Sequence, residues 1–229
     1  MAGQQDPSAQ GLSHVLPGAR LPRSFFARDV LTVAPALLGA TVSHAGVTVR
    51  LTEVEAYAGE SDPGSHAFRG PTPRTAVMFG RAGHLYVYFT YGMHWCANIV
   101  CGDEGAASAV LLRAGEVVDG EDVAAGRREG IRRRDWARGP ARLATTLALA
   151  GAHTGLDACA DDSDVVLRAP SVCVDLSSVR TGPRVGVSGA GGDGDAHPWR
   201  FWLADEPSVS VYRPAPNRPT TSRARRTPS

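Results

Sequence analysis

One stretch decides the fold class: His84-Leu85-Tyr86-Val87-Tyr88-Phe89-Thr90-Tyr91-Gly92-Met93-His94-Trp95-Cys96-Ala97-Asn98. It holds two runs of aromatic and β-branched residues that meet near Gly92, which predicts two strands joined by a tight turn. Tyr86 and Tyr88 share one face of the first strand, and Tyr91 falls where the chain reverses. The stretch therefore predicts a β-hairpin with an aromatic tip.

Further strand-like runs flank the hairpin and indicate a sheet-rich domain. We predict strands over residues 47–57, 84–91, 94–101, 108–114, 165–174, 200–203 and 208–212. Helices are predicted over residues 30–38, with Asp29 as the N-cap, and from Pro140 onward, with Gly151 past the end of the second helix. Blocks of strands with few helices between them predict a single α+β domain, with a mixed, mostly antiparallel, curved sheet, flanking helices and the protruding hairpin.

The ends of the chain differ in composition from its middle. Residues 1–20 and the basic tail 213–229 have the polar composition of disordered segments, which leaves residues 21–212 as the folded domain. No apolar run is long enough to span a bilayer, and residues 1–10 lack the basic-then-apolar order of a signal peptide. We therefore expect a cytoplasmic protein with no membrane partner.

Every basic residue is an arginine, and the 24 arginines nearly balance 23 acidic residues. Without lysine, a Schiff-base mechanism would be left to the N-terminal amine alone. Seven arginines crowd into residues 127–142, where the only acidic residues are Glu129 and Asp135. Such a segment suits a polyanion, or it is a solvated helix surface, and the charges alone favour neither interpretation.

Two patterns that could indicate a cofactor site are set aside. Gly189, Gly191 and Gly194 spell GxGxxG, but no helix-forming run follows them, so we interpret this segment as a flexible loop. The four cysteines form no CxxC pair, and the histidines show no HExxH or other ligand-like spacing. We therefore expect neither a metal nor another cofactor.

The first candidate catalytic groups lie in Arg50-Leu51-Thr52-Glu53-Val54-Glu55-Ala56-Tyr57. In a strand, Glu53, Glu55 and Tyr57 share one face, which is then acidic and aromatic. Taken alone, this pattern is typical of an exposed sheet face. Nine residues after Tyr57, however, His66 lies in the Gly- and Pro-rich loop 61–73, where binding and catalytic side chains are common.

Seven strings occur in one order along the predicted domain. They are Glu53-Val54-Glu55-Ala56-Tyr57, Ser65-His66-Ala67, residues 74–79, residues 86–98, Val110-Leu111-Leu112-Arg113-Ala114, Gly139-Pro140-Ala141-Arg142-Leu143 and Pro183-Arg184-Val185-Gly186-Val187. Taken together and in this order, these strings resemble those of the alkyladenine (3-methyladenine) DNA glycosylase family, and the resemblance covers about residues 21–212. His94 and Trp95 depart from the aromatic Tyr and Phe common there, and the loop 189–196 is longer and richer in glycine.

The resemblance implies catalytic and DNA-contacting roles for matching positions. Glu55 matches the family's general base, and Arg113 matches an arginine close to the attacking water and the DNA backbone. Tyr91 matches the residue that intercalates where the flipped nucleotide was. Met93 and Arg142 are expected to contact DNA.

The resemblance also implies a pocket that receives the damaged base. Tyr57 and His66 match two of its walls, and Tyr88 matches the opposite wall. Asn98 matches the pocket residue that disfavours the exocyclic amine of normal guanine. Glu53, which shares the strand face of Glu55, is the chemical rival as base, and we expect it to support the structure.

The implied activity is that of a monofunctional DNA-3-methyladenine glycosylase of base excision repair. Its substrates would be the alkylated purines 3-methyladenine and 7-methylguanine, and further candidate substrates are hypoxanthine and etheno adducts. The damaged base would be flipped out of double-stranded DNA and released by single displacement with an activated water. We expect a monomer that is nucleoid-associated and needs no cofactor.

Two other functions fit parts of the sequence. A non-catalytic nucleic-acid binding module would use the aromatic hairpin and the arginine segment, but it leaves the register of Glu55 with Tyr57 and His66 unexplained. An enzyme that acts on free nucleosides would share the carboxylate chemistry, but it has no use for a wedge at the hairpin tip.

Overall fold

The computed structural model describes residues 15–90 and 92–215. In this part of the chain, eight strands form one sheet in which all strand pairings are antiparallel. The strands are β1 (Thr41–His44), β2 (Val47–Tyr57), β3 (Leu85–Thr90), β4 (His94–Val100), β5 (Ala109–Asp119), β6 (Val166–Arg168), β7 (Val179–Gly182) and β8 (Arg200–Leu203). The helices are α1 (Arg23–Phe26), α2 (Val30–Ala36), α3 (Glu121–Arg127) and α4 (Pro140–Thr146). The predicted α+β class is confirmed.

Strand β2 is the centre of the sheet, whose order is β3-β4-β5-β2-β1-β6. One edge of β2 pairs with β5 along its length, while the other edge pairs first with β1 and then, at residues 53–55, with β8. Residues 51–56 are all withdrawn from solvent, including the carboxylates of Glu53 and Glu55. The strand is therefore not an exposed acidic face, and buried charges of this kind require partners.

An irregularity interrupts the ladder between β2 and β5. The pairing steps from Leu51 with Gly115 to Glu53 with Ala114, and then from Val54 to Leu112. These shifts pass over one residue on each strand, and on β5 that residue is Arg113. Bulges of this kind redirect side chains near functional sites.

Two predicted helices are present but shorter than expected. The Asp29 side chain caps α2 by accepting the N–H of Leu31 at 2.8 Å, as predicted. Helix α4 begins at Pro140, as predicted, but it ends at Thr146. Shortly after that end, Ala148 takes a positive φ of 52°, which is incompatible with a continuing right-handed helix.

Several strand predictions needed correction. The predicted strand 165–174 is reduced to β6, because Pro170 soon follows and supplies no backbone donor. Residues 208–212 form no strand, since the N–H of Ser210 donates to the Glu53 side chain instead of to a neighbouring strand. The short elements β1, β7, α1 and α3 were missed, and β5 runs five residues beyond its predicted end at Ala114.

The predicted terminal segments lie outside the described residues, apart from 15–20 and 213–215, and the domain limits 21–212 stay a prediction. No helix in the described ranges is long and apolar enough to cross a membrane.

Candidate active site

A row of directly paired residues crosses the sheet. Glu55 on β2 pairs with Leu111 on β5, which pairs in turn with Asn98 on β4. Asn98 pairs with Tyr86 on β3. Directly paired residues of antiparallel strands project to the same face. The register of four strands therefore places a carboxylate, an amide and a phenol on one surface.

This row forms the floor of a pocket of about 490 Å³, a volume typical of small-ligand sites. The residues that the sequence assigns to catalysis and base binding all line it: Glu55, Tyr57, His66, Tyr88, Asn98 and Arg113. They come from four strands and one loop. A further wall comes from residues 185–188.

Glu55 is fully buried beside the pocket, and each of its carboxylate oxygens accepts one hydrogen bond. Oε1 accepts the backbone N–H of Val185 at 2.8 Å, and Oε2 accepts the phenol O–H of Tyr57 at 2.9 Å. The guanidinium Nε of Arg113 lies 3.5 Å from Oε1. Because an ionised carboxylate offers about four lone-pair sites, Glu55 retains the capacity to accept a proton donor from the pocket.

Glu53 has different surroundings from Glu55. Its Oε1 accepts from Arg113 Nε at 2.8 Å, from Arg200 Nε at 2.6 Å and from Ser210 Oγ at 2.9 Å. Its Oε2 accepts the N–H of Ser210 at 2.7 Å. Glu53 is thus engaged by structural partners, and of the two carboxylates it is Glu55 that lines the pocket.

Arg113 lies between the two carboxylates. Burial opposes its charge, but the Glu55 and Glu53 carboxylates raise the pKa of the guanidinium. Arg113 therefore keeps its positive charge in a nearly water-free position, where it is only 7% exposed. The bulge in β5 puts this cation within reach of both carboxylates.

Aromatic rings form the walls of the pocket. His66 packs edge-to-face against Tyr88, with ring centres 4.6 Å apart, and its Nδ1 lies 3.1 Å from the Tyr86 hydroxyl. Partial burial and the positive charge of Arg74 lower the pKa of His66, which favours the neutral imidazole. Burial raises the pKa of Tyr88, and burial with the Glu55 charge raises that of Tyr57. The walls are therefore uncharged rings, which suit stacking on a purine.

Asn98 is held firmly at the floor of the pocket. Its side-chain Nδ2 donates to the backbone oxygen of Tyr86 at 2.9 Å, and the residue is 4% exposed. A fixed amide can select among ligands, because a buried polar group left unpaired is costly.

A second cavity of about 430 Å³, here called the arginine cleft, adjoins the pocket. Its lining includes three arginines and three residues shared with the pocket: Arg128, Arg138, Arg142, His94, Pro140 and Ala141. Asp135 pairs with Arg138 at 3.3 Å, whereas burial and the charge of Arg142 lower the pKa of Arg128. The Nε of Arg128 is buried without a partner among the described residues. The excess of positive charge suits an anion such as a phosphodiester.

Comparison with known proteins identifies the family. Residues 24–207 match the family model described as methylpurine-DNA glycosylase. A protein of Streptomyces avermitilis named "Putative 3-methyladenine DNA glycosylase" is 54% identical over 198 residues, covering 84% of this chain and 92% of that protein. Proteins of the same name from Frankia casuarinae (53% identical, 85% and 93% covered) and Burkholderia lata (47% identical, 85% and 92% covered) also match. The chain belongs to the methylpurine-DNA glycosylase family.

Membership of the methylpurine-DNA glycosylase family confirms the resemblance seen in the sequence. It also confirms the predicted enzyme class, a DNA-3-methyladenine glycosylase of base excision repair, with DNA as its partner. The roles of individual residues stay predictions, although the fold gathers six of them in one pocket.

The β3–β4 hairpin carries the residues predicted to enter DNA. Thr90 pairs with His94, so residues 91–93 connect the strands, and both paired residues also line the pocket. Tyr91, the predicted wedge, lies outside the described residues. Met93 is 69% exposed. The connection between the strands therefore begins and ends beside residues that line the pocket.

Sequence reasoning missed three groups that shape the site. The N–H of Val185 donates to Glu55, and Arg184 forms a buried ion pair with Asp62. The string 183–187 was recognised as family-like but received no role, because a backbone donor has no side-chain signature. The ion pair spans 122 residues and has no periodic signal in the sequence.

Among residues 15–90 and 92–215, no group of three or more His, Cys, Asp or Glu side chains comes together as a metal site.

Proposed function

We propose that this glycosylase hydrolyses the N-glycosidic bond of alkylated purines that have been flipped out of duplex DNA into the pocket, and that Glu55 activates the attacking water. The observation that carries the proposal is the geometry of Glu55. Its carboxylate is buried, held by Val185 and Tyr57, and borders a cavity of about 490 Å³.

Base binding relies on the uncharged aromatic walls. A base must leave the duplex at a cost of a few kcal/mol, which is lower for damaged or poorly paired bases. Purines alkylated at N3 or N7 carry positive charge, and cation–π attraction to the rings of Tyr57, His66 and Tyr88 adds about 0.5 to 2 kcal/mol to stacking. The neutral imidazole of His66 avoids repulsion of a cationic base. We expect 3-methyladenine and 7-methylguanine as substrates, with hypoxanthine and etheno adducts held by stacking alone.

Normal guanine is rejected at the pocket floor. Asn98 is held by its bond to Tyr86 and cannot move away from a bulky exocyclic amine. An amine that fits poorly there, and that finds no partner, disfavours guanine relative to purines without it. 7-Methylguanine keeps this amine, and its positive charge supplies the attraction to the aromatic walls that neutral guanine lacks.

The reaction is a displacement at the sugar carbon. The bond from C1′ to the base nitrogen breaks and its electron pair passes to the base, so a cationic base leaves as a neutral molecule. Positive charge develops on the sugar, where the Glu55 carboxylate stabilises it. The water oxygen bonds to C1′ and its proton passes to Glu55. Arg113, 3.5 Å from Glu55, orients the carboxylate and the water.

DNA is held outside the pocket by the hairpin and by the arginine cleft. Tyr91 fills the vacated stack, Met93 contacts the neighbouring bases, and Arg142 binds backbone phosphate together with Arg128. We propose that one copy of the chain, acting on DNA in the nucleoid, is sufficient.

The deciding experiment is release of free base from a duplex that carries a single 3-methyladenine or hypoxanthine. A binding module would retain the lesion without releasing the base, and a nucleoside hydrolase would prefer the free nucleoside. Borohydride trapping and treatment with EDTA complete the test. A covalent adduct with DNA would contradict single displacement, and activity lost to EDTA and restored by a metal would contradict catalysis without metal.

A further inference from the structure

We propose that Arg184 and Asp62 form a positioning pair that sets the orientation of Glu55 and Tyr57 together. This inference rests on the proposed function of Glu55. It assigns to the pair an effect on the rate of base release and not on DNA affinity.

The contacts of Arg184 are all internal. The side chain is 1% exposed and forms a bidentate pair with Asp62, at 2.5 and 2.6 Å. Its remaining hydrogen bonds go to the backbone oxygens of Ala56 at 2.9 Å and Gly191 at 2.7 Å. One guanidinium thus joins β2, the loop after it and the loop 183–192.

Asp62 extends the same network into the loop that carries His66. It accepts the N–H of Ala58 at 3.2 Å and the N–H of Gly64 at 2.8 Å. Its side chain, like that of Arg184, is fully withdrawn from solvent. A fully buried pair adds little net stability, because the loss of hydration offsets the attraction between the charges. The contribution that remains is the orientation of the segments that the pair joins.

Two glycines allow this close packing. A Cβ on Gly64 would lie 2.4 Å from Arg184 Nη2, and a Cβ on Gly191 would lie 2.2 Å from the backbone nitrogen of Gly64. Gly191 belongs to the GxGxxG string, which the structure shows to be a 3₁₀ turn at Gly189–Gly192 with no helix after it. Gly191 therefore serves close packing around Arg184.

Both groups that donate hydrogen bonds to the Glu55 carboxylate lie directly beside Arg184. Val185, whose N–H reaches Oε1, is the next residue in the chain. Tyr57, whose O–H reaches Oε2, has its ring 4.5 Å from the Arg184 guanidinium carbon, and neither Arg184 nor Asp62 lines the pocket. The guanidinium therefore supports Tyr57 from the side facing away from the substrate and fixes Val185 beside Glu55.

The test compares Arg184→Lys and Arg184→Met with the wild type. We measure the melting temperature, the affinity for lesion DNA and the single-turnover rate of base release. Misplacement of a catalytic group by about 1 Å costs on the order of a hundredfold in rate. We therefore expect a rate loss of about tenfold to a hundredfold with affinity little changed, and a smaller loss for lysine than for methionine because lysine keeps the charge.

Val42→Ala is the matched control, because Val42 is a buried residue of β1 that does not line the pocket. If this variant loses as much thermal stability and as much rate as Arg184→Met, the pair has only a structural role and the inference is overturned. Should Arg184→Met fail to fold, Asp62→Asn keeps the shape of the partner and weakens the same ion pair by removing its charge. An unchanged rate in a folded Asp62→Asn variant also overturns the inference.

A double-mutant cycle separates this inference from the proposed function. If Arg184 acts through Glu55, then Arg184→Met causes no further loss of the residual rate in a Glu55→Gln background. Additive losses contradict the coupling while leaving Glu55 as the base. If Glu55→Gln alone does not slow the reaction, the proposed function itself fails.

Discussion

Val185 donates its backbone N–H to Glu55 Oε1 across 2.8 Å, although 130 residues separate them in the chain. The second carboxylate oxygen accepts from Tyr57, only two residues away. One bond is therefore set by the strand and the other by the tertiary fold. This pair of bonds leads to specific expectations for the two neighbouring glutamates.

Glu55→Gln should abolish base release while leaving lesion-DNA binding largely intact. Glutamine keeps the shape and can still bond to Val185 and Tyr57, but it cannot take the proton of the water. Single-turnover excision measures the effect. The assignment of Glu55 as base would be contradicted by a remaining rate above about a tenth of wild type, which corresponds to a loss below about 1.4 kcal/mol of transition-state stabilisation.

Glu53→Gln should instead lower the free energy of unfolding. The substitution leaves two buried arginines, Arg113 and Arg200, without their shared countercharge. Breaking a buried pair of this kind costs about 3 to 5 kcal/mol. Urea unfolding measures it, with Glu55→Gln as the comparison. Equal stability losses in the two variants would contradict the division of roles.

His66 should stay neutral to lower pH than an ordinary histidine. Partial burial and Arg74 lower its pKa, so its NMR titration midpoint should lie below about 6.5. As pH falls below that value, the unfolded chain binds the proton first and the free energy of unfolding decreases. Arg74→Gln should move the midpoint upward. A midpoint at or above the ordinary value would contradict the prediction that burial and Arg74 favour the neutral imidazole.

Tyr91→Ala should separate base extrusion from chemistry. Loss of the ring removes stacking of roughly 1 to 3 kcal/mol and lowers the flipped population by on the order of ten- to a hundredfold. A lesion in a weakly stacked mismatch has less stacking to lose. The measurement is excision of one lesion in a well-paired and in a destabilised context. Equal losses in both contexts would make Tyr91 a packing residue of the hairpin.

Arg128→Gln should weaken DNA binding and reduce its salt dependence. Each phosphate contact contributes about −0.9 to the slope of log affinity against log salt concentration, so the slope should become shallower by about 1. Arg134→Gln is the control, because Arg134 is exposed and does not line the arginine cleft. If the two variants have the same slope, the cleft is not a phosphate site.

The sequence was sufficient where a local pattern determines the structure. Strands β2 and β8 match their predicted limits, and Asp29 and Pro140 mark helix starts because capping and proline geometry are local. It was insufficient where a backbone group bonds to a distant side chain. Residues 208–212 look like a strand, yet Ser210 bonds to Glu53.

For the site, the sequence was sufficient to predict the side chains that line the pocket, but not the groups that hold those side chains in place. The residues of the base pocket could be named because the resemblance covers them and strand alternation places them. Val185, Arg184 and Asp62 could not be named, because their roles arise from contacts between separate loops. A backbone N–H is available at almost every position, so only the fold shows which one points at Glu55.

The exclusive use of arginine around Glu53, Glu55 and Asp62 has a chemical consequence for an enzyme that meets alkylating electrophiles. Lone pairs on nitrogen and sulfur attack such reagents, and a guanidinium remains protonated and offers no available lone pair. The sequence contains no lysine amine that they could consume. The thiol of Cys96, in the pocket wall, has its pKa raised by burial and so is a poor nucleophile. The arginines and Cys96 of the site thus resist the reagents that create the substrates of the enzyme.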